Sequence, residues 1–147
     1  MTANKQLLAK KRIVELGAGT GAVGLALALL HDADDDSVDA LVLTDLETVV
    51  LLTTRNVHAT AREHPRVRVM LERGAIATQA YCWGDDVVNT PLLGFADAVV
   101  VSDCLYEPSL YGDLLKSLLA LTDRSAAKGK EPVVFLAYKQ RTGASIF

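Results

Sequence analysis

The sequence predicts an α/β fold, a parallel sheet with helices on both faces. Three observations carry that expectation. Short apolar runs of strand length alternate with segments of helical period along the chain. The strand segments are apolar on both faces, as buried parallel strands are. A glycine or an acid stands where several of those strands end.

Arg12–Leu16 reads as a strand that stops at Gly17, and Thr20–His31, rich in Ala and Leu, as the helix after it. Ala40–Thr44 is a second strand, ending at Asp45. Leu46 to about Arg62 is helical, with Leu46, Val49, Val50 and Val57 on one face. The third strand has two candidates, 67–71 and 77–83, which both alternate and are separated by Gly74. Asp97–Ser102 is the clearest buried strand. Pro108–Thr122 is the clearest helix, because proline suits its first turn and Leu110, Leu114, Leu115, Leu118 and Leu119 share a face. Pro132–Tyr138 is the last strand.

At 147 residues and half apolar composition, the chain is expected to be one domain that folds without staples. Its 15 Lys and Arg against 18 Asp and Glu argue against a nonspecific grip on nucleic acid or anionic lipid. Ala22–Leu30, the longest apolar run, is nine residues, far short of the roughly 20 that span a bilayer. The N-terminus lacks the apolar core of a secretory signal. The two cysteines make no disulfide framework. Cytoplasmic work, with the nucleus as a second compartment, is expected.

The chemistry gathers where strands end. Glu15-Leu-Gly17-Ala18-Gly19-Thr-Gly21 joins the first strand to the first helix, and its glycines permit a tight turn and close approach of a ligand. No Gly-Lys-Ser/Thr follows, so a P-loop is excluded. The dinucleotide spacing is set aside because, counted from Gly17, the third glycine falls at Gly21, out of step. Glu15 suits a ligand with an ammonium group, and Asp45 is placed to accept from a ribose diol or to cap the next helix. Together they suit adenosine with an amino-acid tail, S-adenosylmethionine. Trp83-Gly84, with the only tryptophan, offers a flat apolar face for a purine or a plain core side chain. Ser102-Asp103-Cys104-Leu105-Tyr106 ends the Val-rich strand. Asp103 with Tyr106 suits a primary amine, unless Asp103 merely caps the Pro108 helix, a job for which Glu107 competes.

Glu15-Leu-Gly-Ala-Gly-Thr-Gly-Ala-Val-Gly24, Thr44-Asp-Leu46, Trp83-Gly84, Asp103-Cys-Leu-Tyr106 and Tyr138-Lys-Gln-Arg141 occur in one order and spacing. In these the chain resembles the seven-β-strand, S-adenosylmethionine-dependent protein lysine methyltransferases, most of all the valosin-containing-protein lysine methyltransferase group, from about Ile13 to Thr142. The glycine loop is shared by many methyltransferases; the Asp-x-x-Tyr element with Trp-Gly is more particular. The resemblance implies a Rossmann-like sheet of five strands in the order 3-2-1-4-5, without the relatives' C-terminal hairpin. It implies that Glu15, Gly17, Ala18, Gly19, Asp45, Trp83 and Ser102 line the S-adenosylmethionine site. Asp103 and Tyr106 would line the lysine entrance as the catalytic pair.

The protein substrate implied is a lysine-bearing client, such as a chaperone-like ATPase. Relative to that family the chain is expected to be shortened at both ends, leaving the last strand as an exposed edge on which two copies could pair. An inactive methyltransferase-like binding module is the alternative that such shortening raises. A nicotinamide dehydrogenase is disfavoured by the glycine count. No metal is expected: His31, His58 and His64 share no ligand spacing, and Asp32–Asp36 lacks the glycine and glutamate of a calcium loop. Cys82 and Cys104 are expected to be small buried residues.

Overall fold

Five strands pair in parallel in the order β3-β2-β1-β4-β5. The computed structural model of the chain describes residues 8–30, 38–87, 90 and 93–139. In chain order the elements are β1 (Arg12–Leu16), α1 (Ala22–Leu30), β2 (Ala40–Asp45), α2 (Glu47–Glu63), α3 (Pro65–Glu72) and β3 (Ile76–Ala80). They continue with β4 (Ala98–Ser102), a 3-10 turn (Pro108–Leu110), α4 (Tyr111–Ala126) and β5 (Val133–Ala137). The expected strand order is therefore the observed one. His31, the aspartate run at 32–36 and Arg141 lie outside the described residues.

Alternation along each strand divides the core into two layers. Ile13, Leu41, Leu43, Ala98 and Val100 face Leu25 and Ala28 of α1, Val57 and Ala61 of α2, and Val67 and Met70 of α3. Val14, Leu16, Val42, Val99 and Val101 face Leu114 and Leu121 of α4, together with Leu93 and Ala96. Of the two candidates for the third strand, Val67–Leu71 folds as α3, with Pro65 in its first turn. A proline at a helix start loses no hydrogen bond, since that N–H would be an orphan anyway.

Two further expectations are corrected. On α4 the buried side chains are Leu114, Ser117, Leu121 and Ser125, whereas Leu115 and Leu119 are 56% and 53% exposed. The helix is rotated because its serines satisfy loop amides: Ser117 Oγ accepts from Gly84 N at 2.8 Å and Ser125 Oγ from Ala96 N at 2.9 Å. On α2, Leu46 is exposed, and Thr53 is buried instead, its hydroxyl donating to Gly19 O at 2.7 Å.

The amino-terminal edge of the sheet is locked by Asp97. It accepts from Arg12 N at 2.9 Å and pairs with Lys130 Nζ at 3.1 Å, so the starts of β1, β4 and β5 share one anchor. Burial raises the Asp97 carboxyl, but the Arg12 N–H and Lys130 outweigh it and hold it below the ordinary range. The carboxyl edge is left open. Leu16 stands opposite Thr44 and Val101, which brings the ends of β1, β2 and β4 to one rim.

Candidate active site

A cavity of about 480 Å³ opens on that rim. Gly17 and Gly19 contribute from the β1–α1 loop, and Asp45, Leu46 and Val49 from the end of β2. Tyr81, Cys82 and Trp83 come from the end of β3. Ser102, Asp103, Cys104, Tyr106 and Leu110 follow β4, and Asp113 belongs to α4. Of the nine expected site residues, seven thus stand around one cavity.

Glu15 and Ala18 do not line it. Ala18 is buried, and its N–H donates to Thr44 O at 2.9 Å. Glu15 is only 2% exposed, and its Oε2 turns under α1 to accept from Gly24 N at 3.0 Å. A Cβ at Gly24 would run into Leu43 and come within 2.7 Å of that oxygen, so only glycine lets the helix sit this close. Burial pushes the Glu15 carboxyl up to about 7, against the lowering by Gly24 N–H and with a further rise from Asp45. Glu15 therefore fixes the loop from beneath. Counted from Gly19, the loop does carry the G-x-G-x-x-G spacing, through Gly21 and Gly24. The glycine count alone does not separate the two ligand classes, and Gly24 serves helix–sheet packing.

Asp45 is the residue that ties the loop to β2. Its Oδ2 accepts from Gly19 N and its Oδ1 from Leu46 N, both at 2.7 Å. Each oxygen keeps a second lone pair for a ligand hydroxyl. The Trp83 indole lies over Gly17: a Cβ there would be 3.0 Å from its Cζ2 and 2.6 Å from Cys104 Sγ. With φ at +69°, Gly17 is required on both counts. Cys104 is buried, its thiol pushed up to about 11 by burial first and then by Asp45, so it is a packing thiol. Cys82, expected to be buried, is exposed on the cavity rim.

Asp103 ends β4 in the left-handed region, at φ +56°, with its N–H donating to Ala137 O at 2.8 Å. Aspartate tolerates that conformation better than most residues, and strain of this kind gathers at functional sites. The capping role falls to Glu107, which accepts from Ser109 N and Oγ at 3.2 and 2.8 Å. Asp103 lines the cavity, as does Tyr106, which is 53% exposed.

The sequence reading missed Asp113, Tyr81 and Ser117. Ser117 Oγ accepts from Tyr81 Oη at 2.9 Å and from Gly84 N, and donates to Asp113 O at 2.9 Å. Lys116 Nζ also donates to Gly84 O. These bonds bolt the turn after β3 to the first turns of α4. The one signal in the sequence is the small polar residue at a helical core position. Among the described residues no group of His, Cys, Asp or Glu could hold a metal, and no helix is long and apolar enough to cross a membrane.

A cavity of this size suits a nucleoside-sized ligand. Open backbone at Gly19, the Asp45 carboxylate and the Trp83 face fit an adenosine group with a short polar tail. Comparisons with known proteins bear on which one. Residues 1–146 match the family described as lysine methyltransferase. Protein-lysine N-methyltransferase EFM6 of Saccharomyces cerevisiae is 28% identical over 141 residues, covering 91% of this chain and 52% of that protein. EEF1A lysine methyltransferase 3 of Mus musculus is 33% identical over 139 residues, covering 93% and 50%. Protein N-lysine methyltransferase METTL21A of Danio rerio is 32% identical over 108 residues, covering 74% and 43%. The chain spans about half the length of these relatives. Among solved structures, the trans-methyltransferase CalH in complex with SAH superposes with a TM-score of 0.57 at 22% identity, over 78% of this chain and 30% of that one. That likeness shows the fold.

Proposed function

The chain belongs to the lysine methyltransferase family, and we propose on that premise that it methylates the side-chain amine of a lysine in a protein, using S-adenosylmethionine. The observation that carries this reading is one cavity lined both by Asp45 and the glycine loop and by Asp103 and Tyr106. When bound, S-adenosylmethionine supplies a methyl group on a positively charged sulfur. Gly17, Gly19, Asp45, Trp83 and Ser102 would hold it, Asp45 through the ribose hydroxyls and Trp83 through the purine face.

Transfer needs two things from the protein: a nitrogen held in line, and that nitrogen neutral. A lysine amine has a reference pKa of about 10.4, so it arrives charged. Asp103 receives the ammonium and sets its position. A carboxylate favours the charged form, so something must oppose it; the apolar walls of Leu46, Val49, Trp83 and Leu110 do so by removing water from the amine. Tyr106, half open to solvent, orients the nitrogen and passes its proton to water.

The 147 residues act in this reading as one catalytic unit in the cytoplasm, with the nucleus as a second compartment. The client class to test first is a chaperone-like ATPase, and EEF1A, named for the mouse relative, is the second. The exposed Val133, Val134 and Leu136 of β5, the sheet's last strand, support pairing of two copies along that edge. Incubation of client proteins with isotope-labelled cofactor, read by mass spectrometry, tests the activity. Label on lysine is expected with the natural chain and at least about a hundredfold less with Asp103→Ala, as for loss of a positioning group. Label that persists in that variant removes Asp103 from the mechanism.

A further inference from the structure

Among the described residues the cavity is lined by three carboxylates, Asp45, Asp103 and Asp113, and by no Lys, Arg or His. The three are not equivalent. Asp45 has both oxygens engaged, by Gly19 N and Leu46 N. Asp103 is the residue assigned to the target amine. Asp113 is exposed to the cavity, and its carboxylate takes no hydrogen bond or ion pair among the described residues.

That carboxylate packs against the turn after β3. Gly84, at φ +87°, packs directly on it: a Cβ at that position would lie 2.7 Å from Asp113 Oδ1 and 2.9 Å from its Cγ. Lys116 and Ser117, three and four residues further along α4, bind the Gly84 carbonyl and N–H. An acid in the first turn of any helix is favoured by the helix dipole. The dipole alone does not require the acid to stand on a cavity wall, packed on a left-handed glycine, with its oxygens unengaged. An anion facing a cavity that no described cation lines is a receptor for positive charge. The connection that supplies Asp113 runs from β4 to α4 and also supplies Asp103 and Tyr106, whereas the residues fitted to the cofactor follow mainly from β1, β2 and β3.

We propose that Asp113 reads a second positive charge on the substrate, an Arg or Lys flanking the target lysine, and so selects lysines in basic segments. The inference rests on the lysine methyltransferase reading of the same cavity. Trp83, the only tryptophan, lines that cavity and gives a binding signal independent of turnover.

The probes are blocked peptides with a single lysine, flanked on both sides by arginine, glutamine or glutamate, titrated in the presence of S-adenosylhomocysteine. The natural chain should bind the arginine-flanked peptide about fivefold more tightly than the glutamine-flanked one, the upper range for an accessible ion pair. Asp113→Asn should bring that ratio near one, and Asp113→Lys should turn the preference towards the glutamate-flanked peptide. An unchanged ratio in both variants overturns the proposal and leaves the lysine reading standing. Weakened S-adenosylhomocysteine binding in Asp113→Asn, with the peptide ratio kept, assigns Asp113 to the cofactor and also overturns it. Cofactor binding with no affinity for any lysine peptide refutes the underlying reading, and the proposal with it.

Discussion

At neutral pH the Glu15 carboxyl stands near its midpoint, since burial pushes it up to about 7. The unfolded chain releases that proton near 4.5. Between the two values the folded protein binds a proton that the unfolded chain has lost, so stability falls as pH rises through this window. The contribution is fully present below the lower value and gone above the upper one, and the shift corresponds to about 3 kcal/mol. Glu15→Gln keeps an oxygen for Gly24 N and removes the titration. Urea unfolding from pH 5 to 8 should show the natural chain losing stability relative to this variant by up to that amount. Parallel stability profiles would contradict the assignment. At this scale the sequence was informative wherever a residue ended a strand. Gly17, Asp45 and Asp103 each stand where a strand ends, and all three reach the cavity. Glu15 reads as a ligand residue and folds as a prop, because the turn of its side chain depends on how closely Gly24 lets α1 approach. Asp113 carries no local signal, since Gly84 meets it only once β3 and α4 are in place.

Among the elements, α4 holds the turn after β3, and Ser117 is the joint. Fully buried, it serves Gly84 N, Tyr81 Oη and the Asp113 carbonyl at once. Burial raises the Tyr81 hydroxyl against the Ser117 bond that lowers it, with a further rise from Asp85. Ser117→Ala would leave Gly84 N without its acceptor in a half-buried setting, and losing a buried partner costs about 1–3 kcal/mol. We expect about 2 kcal/mol of destabilisation by denaturant unfolding, together with a shift in Trp83 emission. A variant as stable as the natural chain would contradict the clamp. Periodicity misjudged this helix because it counts leucines, and Leu115 and Leu119 are leucines on the solvent side. What turned the helix was the need to satisfy two loop amides, which no hydrophobic pattern records. Alternation at Val67–Leu71 leaves the third strand open between two segments, because a short helix with Pro65 in its first turn carries the same pattern.

Over the whole molecule, the two ends of the sheet have different work. Asp97 closes the amino-terminal edge, and the carboxyl edge, where open α/β sheets bind ligands, is left to the cavity. The parallel sheet was legible because apolar runs of strand length alternate with helical segments, whereas the strand order came from the family resemblance and not from the residues. The last strand, expected as an exposed edge, stands at the edge of the sheet, and its Val133, Val134 and Leu136 are exposed at 48%, 40% and 50%, since α4 covers β4 and no described element lies beyond β5. If two copies pair there, light scattering should give about twice the 15.8 kDa chain mass, and Val134→Lys should halve it. A monomer at high concentration would remove the pairing. The central claim rests on the cavity itself. A calorimetric titration with S-adenosylmethionine, run on the natural chain and on Asp45→Ala, addresses it most directly. We predict micromolar binding by the natural chain, and about tenfold or greater loss on removal of the ribose acceptor. No binding by the natural chain at about 1 mM cofactor, or equal binding by both, would contradict it.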